Sequence, residues 1–323
     1  MSKKPKVGMW SGLTAVTAVL TAGAIVGTTV AFHYTTTVNN YLDADTYKII
    51  KGDSDEDTEY FKSDFTSDEE RESYEAELCA QVEAEGAALL KNDNNALPLA
   101  SGAKVSLFGH GSVDLMYGGT GSGSVDTSKA PNFKQALEDQ GIQINSTLWD
   151  LYSSDDMMKN YSRITPAAIS DTLEANTQYA VNEAPWSKLS SAESSFADYG
   201  DAAIVVFSRS GGEGADLPSG ENGTNDSWIK GQEGDGNYLA LSAEEKELLQ
   251  NLKTLKDNGT FKKIIVLINS SNAIEMDFLN PEICGEDYGI DSAMWIGDVG
   301  QTGINGVAQL LAGEVTPSGS LVD

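Results

Sequence analysis

The chain has 323 residues, 40% of them hydrophobic, and a formal net charge of −28. This length allows two domains or one large domain, and the hydrophobic content is sufficient for a buried core. The strong negative charge argues against nucleic acid as a partner, because few cations are available to neutralise phosphates.

The N-terminus is basic and then apolar. Residues 1–6 include three lysines, and Val7 to Phe32 follows without a charged residue. Such a stretch can cross a bilayer, and the lysines favour a cytoplasmic N-terminus. We therefore predict a cytoplasmic tail over residues 1–6 and a single-pass transmembrane anchor over residues 7–33 at the cell membrane, with the rest of the chain extracellular. The alternative is a cleaved signal peptide, since Ala22-Gly23-Ala24 offers small residues for cleavage.

An acidic region follows the apolar run. Residues 34–77 are rich in Asp and Glu and are predicted to form an acidic stalk. Ser67 is a suitable N-cap with Glu70 at the third helical position, so a helix is expected to begin there and to continue through Ala88. We expect the globular domain to cover residues 78–323.

Strands and helices alternate through the predicted globular domain. Apolar, β-branched runs bounded by turns predict strands at Lys104–Gly109, Gly141–Ile144, Ala202–Phe207, Lys263–Asn269 and Asp291–Ile296. Helical spacing predicts helices at Ala130–Gln140, in parts of Asp150–Asn176, at Ser242–Lys256 (with a capping box of Ser242 and Glu245) and at Gly303–Ala312. This alternation indicates an α/β domain with a mainly parallel sheet sandwiched by helices.

The strand at Ala202–Phe207 leads into a Gly-rich loop that carries Glu213 and Asp216. Open α/β sheets bind ligands beyond the carboxyl ends of their strands, and glycines allow a sharp turn there. Glycoside hydrolysis needs two facing carboxyl groups, and neighbours in one loop could lie close enough. More often one such residue acts in chemistry and the other shapes the loop. These residues alone are equally consistent with a solvated turn.

Two other Gly-rich clusters follow the first predicted strand, at 109–112 and 117–124. The first lacks the third Gly of the dinucleotide fingerprint, because Asp114 stands there, and the second lacks the Lys of a P-loop. We therefore favour a cleft-lining or purely structural loop over nucleotide binding. A serine hydrolase is disfavoured because there is no G-x-S-x-G elbow and His110 is the only histidine of the domain.

Cysteine and histidine usage excludes further site classes. Cys79 and Cys284 form no metal or redox spacing, and we expect them not to pair. His33 and His110 form no ligand cluster, so no metal site is predicted.

Several motifs together resemble the α/β sandwich domain of family 3 glycoside hydrolases, which include β-glucosidases and β-xylosidases. The matching segments, in chain order, are Glu85–Asn92 with Leu97-Pro98-Leu99, Ser210–Asp216, Tyr238–Lys246, Ile264–Asn269 and Gly313–Gly319. Each segment is a weak signal, but their order and spacing make the combination specific. The resemblance covers residues 77–323 and implies an (α/β)6-sandwich-like fold.

The resemblance also implies roles for residues in the Gly-rich loop. In that family the Glu of the Gly-Glu-Gly loop is commonly the general acid/base, which falls on Glu213. Asp216 matches the acidic residue that usually follows, and we predict Asp216 and Arg209 as substrate-binding residues. Leu217 stands where an Arg is common, which puts a sugar contact from that position in doubt. No metal or organic cofactor is implied.

The family's nucleophile is an Asp on a separate (β/α)8 barrel, and this chain has no room for one. Some members place the sandwich before the barrel. We therefore expect this chain to be part of a retaining, β-glucosidase-like enzyme whose barrel comes from a longer parent chain or a separate polypeptide. The alternative is a non-catalytic, membrane-anchored domain that binds glycans or a partner protein.

Overall fold

The uncharged N-terminal run forms a long helix in the structure, a computed structural model that describes residues 7–42, 61–165, 179–213, 217 and 237–322. This helix, α1, spans Val7–His33, and a short helix, α2, spans Thr35–Tyr41. By length and composition, α1 can cross a membrane over Trp10–His33, with a mean hydropathy of 1.8. A signal sequence meets the same criteria, so the choice between an anchor and a cleaved leader stays a prediction.

The acidic region is described only in part, since residues 43–60 lie outside the described residues. The predicted N-cap is confirmed, because Ser67 Oγ accepts a hydrogen bond from the N–H of Glu70 at 3.2 Å. The Glu70 carboxylate reaches one residue beyond the cap, to the N–H of Thr66 at 2.7 Å. These two contacts fix the chain where it enters the helix.

The folded unit begins ahead of the predicted start at residue 78. It runs from Phe65 to Asp323, and its first helix, α3, spans Asp68–Gly86. Ala80 and Ala84 on α3 are buried, and the C-terminal helix of the chain approaches their backbone so closely that only a glycine, Gly306, fits at the crossing. The end of the predicted stalk is therefore part of the domain.

The core of this unit is a six-stranded sheet in the order β1-β6-β5-β4-β2-β3. The strands are β1 (Ala88–Asn92), β2 (Lys104–Phe108), β3 (Gln143–Ile144), β4 (Ala202–Arg209), β5 (Ile264–Ser270) and β6 (Ser292–Trp295). Neighbouring strands are parallel except for β1 and β6. The prediction of an α/β domain with a mainly parallel sheet is confirmed.

The edge strand β1 corrects the expected end of α3. The helix stops at Gly86 because Ala87 already has extended backbone angles (φ −62°, ψ 135°). The chain then pairs antiparallel with β6, with a register shift between Leu89 and Lys91. Leu89 is 39% exposed, as expected for a sheet edge that is only half covered.

Helices and short 3-10 turns cover both faces of the sheet. Within the described residues, the remaining helices are α4 (Phe133–Asp139), α5 (Ser146–Tyr152), α6 (Asp155–Tyr161), α7 (Ala243–Asp257), α8 (Pro281–Cys284) and α9 (Ile304–Ala312), and the short turns are Asp93–Asn95, His110–Ser112, Gly121–Gly123, Trp186–Leu189, Glu193–Tyr199 and Asp277–Leu279. The capping box of Ser242 and Glu245 at the start of α7 is confirmed.

The central strand β4 is buried along its whole length. Ile204 and Val206 belong to the apolar core that includes α4 and α9, whereas Val205 and Phe207 belong to the core that includes α5 and α7. Successive side chains of a strand point to opposite faces, so a continuous apolar run is what a strand between two cores requires.

Candidate functional site

The predicted site lies where two loops meet at the carboxyl edge of the sheet. Strands β2 and β4 are parallel neighbours, so the loops that follow them leave the sheet side by side. The loops pair through a bridge between Thr120 and Gly212, and the N–H of Thr120 donates to the carbonyl of Gly211 at 3.2 Å. This contact brings the 117–124 cluster beside the loop that carries Glu213.

Glu213 is exposed to solvent and its carboxylate is bound by the neighbouring loop. Its Oε2 accepts hydrogen bonds from the N–H of Ser122 at 2.8 Å and from Ser122 Oγ at 2.6 Å. Its carbonyl accepts a third, from Thr120 Oγ1 at 2.9 Å. The hydroxyl of Ser122, and then its N–H, lower the pKa of Glu213, because both bonds favour the charged form.

Two glycines make this close approach possible. Gly121 has φ +69°, and a Cβ there would lie 2.7 Å from both Cβ and Oε2 of Glu213. Gly212 has φ +144°, and a Cβ there would lie 2.4 Å from the N atom of Thr120. Both the backbone conformation and the lack of space therefore favour glycine at these positions.

Buried tyrosines fix the base of the two loops. The hydroxyls of Thr120 and Tyr179 lie 3.1 Å apart, and Tyr179 is fully buried. The Tyr238 hydroxyl accepts from the N–H of Ser210 at 2.8 Å and donates to its carbonyl at 3.0 Å. Neither tyrosine was predicted as a site residue: Tyr238 was noted only as the start of the Tyr238–Lys246 segment, and Tyr179 belongs to no segment singled out in the sequence.

Arg209 does not fit its predicted role in substrate binding. It is fully buried, and NH1 and NH2 donate to the two carboxylate oxygens of Glu245 at 2.8 and 2.7 Å. Its remaining donors bind three carbonyl oxygens, those of Ser208, Tyr238 and Ala240. All five guanidinium N–H groups are thus used inside the protein, which leaves none for a sugar. The geometry assigns Arg209 to holding β4 against the start of α7.

Asp216, the other predicted substrate-binding residue, lies outside the described residues. A cleft of about 310 Å³ opens beside Thr120, and Asp114, Tyr117 and Arg163 contribute to its walls. Arg163 NH2 donates to Oδ1 of Asp114 at 3.0 Å, so the charges at this wall are paired. The 117–124 loop lines this cleft, in line with the cleft-lining interpretation.

The Gly-rich loop directly after β2 is bound by a second carboxylate. Glu183 is buried and accepts hydrogen bonds from the N–H groups of His110 at 2.7 Å and Ala184 at 3.0 Å. Burial raises the pKa of Glu183 to about 7. In each of the two Gly-rich loops, then, one N–H group, that of His110 or of Ser122, is bound to a carboxylate of the protein itself.

Neither cysteine is disulfide-bonded, and the Cys79 and Cys284 thiols each contact a backbone carbonyl instead. Among the described residues, no group of three or more His, Cys, Asp or Glu side chains is arranged to hold a metal ion.

Comparison with known proteins decides the family. The family model described as the glycosyl hydrolase family 3 C-terminal domain matches residues 87–322. The chain belongs to this family. The match covers all six strands of the sheet and the Glu213 loop, and it begins at the residue after the end of α3.

Similar proteins carry this domain within much longer chains. A β-glucosidase of Ruminococcus albus is 31% identical over 250 residues, covering 76% of this chain and 22% of that protein. β-Glucosidase A of Butyrivibrio fibrisolvens is 30% identical over 264 residues, covering 76% of this chain and 28% of that protein. The crystal structure of a β-glucosidase from Paenibacillus barengoltzii is similar with a TM-score of 0.57 and 28% identity, over 77% of this chain and 24% of that one. The chain thus spans about a quarter of the length of these relatives.

Proposed function

We propose that this family 3 domain supplies the general acid/base carboxylate, Glu213, of a retaining, β-glucosidase-like glycosidase. The observation that carries the proposal is the position of Glu213: an exposed carboxylate on the loop after the central strand, at the carboxyl edge of the sheet. The similarity to three β-glucosidases supports a β-glucoside-like substrate. Asp216, in the same loop, is proposed to contact that substrate.

The proposed chemistry needs a partner for Glu213. A retaining glycosidase uses one carboxyl as acid/base and a second, about 5 to 5.5 Å away, as nucleophile. In this proposal the nucleophile is an Asp on a (β/α)8 barrel that docks on the Glu213 edge of the sheet, in the same polypeptide or a separate one. The docked Asp and the exclusion of water would both raise the pKa of Glu213, which favours the protonated form needed to protonate the leaving oxygen.

The test is an activity assay with and without a barrel. Hydrolysis of aryl β-glycosides by this chain alone should be undetectable, and joining it to a family 3 barrel domain should give turnover. In the joined protein, Glu213→Gln should lower kcat by about 10²- to 10⁴-fold, the usual contribution of general acid–base catalysis. Glu193→Gln, which changes another exposed carboxylate of the domain, is the matched control. Turnover by the chain alone that depends on Glu213 would contradict the need for a barrel.

We also propose that α1 anchors the domain to the cell membrane, with residues 34–323 outside the cell. The support is the apolar span Trp10–His33 and the lysines before it. N-terminal sequencing of the protein from a membrane fraction tests this, because an anchor keeps Met1 or Ser2 as its first residue. A start near residue 25 would show cleavage of a signal peptide.

A binding function is the second candidate, and the cleft beside Thr120 is the feature that favours it. Under this alternative the domain binds a glycan without hydrolysing it. Titration of the chain with monosaccharides and β-linked disaccharides, followed by NMR shifts of the residues around the cleft, distinguishes the two. Saturable binding by the isolated chain, with no turnover once a barrel is joined, would favour the binding function.

A further inference from the structure

The loop between β2 and α4 contributes a serine that no motif assigned to the site. Both donors of Ser122, the N–H and the Oγ, bind the same atom, Oε2 of Glu213, at 2.8 and 2.6 Å. Charge-assisted bonds of this length fix the direction of the side chain as well as its charge state. We propose that Ser122 is a positioning residue that holds Glu213 as an ionised carboxylate aimed at the 120–122 loop. The proposal rests on the acid/base function proposed above.

The residues around Ser122 are arranged to support this contact. Thr120 Oγ1 donates to the carbonyl of Glu213, and its own oxygen lies 3.1 Å from the buried hydroxyl of Tyr179. Gly121, between Thr120 and Ser122, leaves the space that the Glu213 side chain occupies. Three consecutive residues therefore contact Glu213. Thr120 binds its backbone carbonyl, Gly121 leaves space for its side chain, and Ser122 binds its carboxylate.

The contact has a consequence for the reaction. Hydrogen bonds to the charged form favour that form, and the Ser122 hydroxyl is the largest cause of the lowered pKa of Glu213. The ionised carboxylate suits the base step, in which water is activated. The acid step needs a proton on Glu213, so docking of the barrel has to raise the pKa of Glu213 by more than the retained Ser122 contact lowers it. Removing the hydroxyl should therefore raise the pKa of Glu213.

The experiment is an NMR titration of the full chain with ¹³C-labelled Glu carboxyl carbons, in which Glu213→Gln identifies the Glu213 signal. Ser122→Ala should move the titration of Glu213 to higher pH. Ser122→Thr, which keeps a hydroxyl, should restore most of the original midpoint. Ser124→Ala is the matched control, because Ser124 is exposed on the same loop and the described contacts include none between its side chain and Glu213.

Identical titrations of Glu213 in the wild-type and Ser122→Ala chains would overturn the proposal, as would an equal shift in Ser124→Ala. The titration requires neither barrel nor substrate, so it is independent of the assay of the proposed function. In a protein joined to a barrel, Ser122→Ala should move the alkaline limb of kcat/KM to higher pH. A lower kcat/KM with an unchanged alkaline limb would mean that Ser122 is only a structural residue, which would also contradict the proposal. If Glu213→Gln leaves the rate unchanged, the acid/base function itself fails.

Discussion

Two charged residues four positions apart in the chain have opposite environments. Arg209 ends β4 fully buried, with every donor bound and the Glu245 carboxylate, 1% exposed, as its ion-pair partner. Glu213 lies in the loop beyond, exposed, with one neutral side chain on its carboxylate. The first arrangement is rigid because it is built from many bonds in a dry interior. The second is held by a loop that a docking partner can reach.

The difference between these two environments indicates which of the two residues could take part in chemistry. A buried charge whose bonds are all satisfied stabilises one geometry and has nothing left for a ligand. An exposed carboxylate at the edge of the sheet keeps its charge available and can change protonation when its surroundings change. In this domain the Arg209–Glu245 pair stabilises the end of β4, and the Glu213 carboxylate is exposed on the loop that follows.

Breaking the buried pair should have the largest effect on stability. Arg209→Met leaves the Glu245 carboxylate buried without its partner and should lower the free energy of unfolding by about 3–5 kcal/mol. Urea unfolding of the full chain in mild detergent, followed by tryptophan fluorescence, measures this. The control is Arg71→Met, which removes an exposed ion pair with Glu75 on α3 and should leave the midpoint nearly unchanged. Similar unfolding midpoints for Arg209→Met and Arg71→Met would contradict the claim that the buried ion pair stabilises the domain more than the exposed one.

The pH dependence of stability extends the comparison to a half-buried carboxylate, Glu83 on α3. Burial, and then the nearby charge of Asp298, raise the pKa of Glu83 from 4.5 to about 8. The folded state therefore holds this proton more tightly than the unfolded state does. Its contribution to stability is complete below pH 4.5 and is lost as the pH rises to about 8.

Glu83→Gln tests this linkage. The free energy of unfolding of the wild type should fall more steeply than that of Glu83→Gln between pH 5 and 8, because the variant keeps an uncharged group at this position. Unfolding curves at several pH values measure the difference. Glu77→Gln, an exposed position on the same helix, is the control and should follow the wild type. Parallel slopes for wild type and Glu83→Gln would contradict the raised pKa.

Glu213→Gln should have the smallest effect on stability. The side chain is exposed, and the amide oxygen can still accept from Ser122, so the unfolding midpoint should match that of the wild type. Thermal unfolding monitored by circular dichroism is sufficient. A large drop in the unfolding midpoint would mean that Glu213 stabilises the fold, which would weaken the case that it has a catalytic role.

Much of this fold was predictable, because its signals are local. The apolar runs of β4 and β5 are strands between two cores, and the Ser242 capping box starts α7 as its spacing predicts. The edge strand β1 was missed because Leu89 and Lys91 lack the buried pattern of the central strands. Its pairing with β6 joins residues about 200 positions apart, which no local pattern reveals.

The site was predicted less completely, for the same reason. Glu213 was singled out by its loop, but its partner Ser122 is 91 residues earlier, and they meet only because β2 and β4 are neighbours. Arg209 was predicted to bind substrate, but it pairs with Glu245, 36 residues later, and no local pattern indicates that pairing. Contacts across the sheet edge depend on strand order, which the sequence patterns do not define.

The central claim, that Glu213 is the acid/base of a family 3 glycosidase, is tested most directly by leaving-group dependence. The kcat/KM values for a phenyl and a 2,4-dinitrophenyl β-glucoside are compared in the chain joined to a barrel, because kcat/KM reports the step in which the leaving group departs. Glu213→Gln should lower kcat/KM far more for the phenyl substrate, because a phenoxide leaving group needs a proton and a dinitrophenoxide does not. An equal fall in kcat/KM for both substrates, or no fall for either, would contradict the assignment.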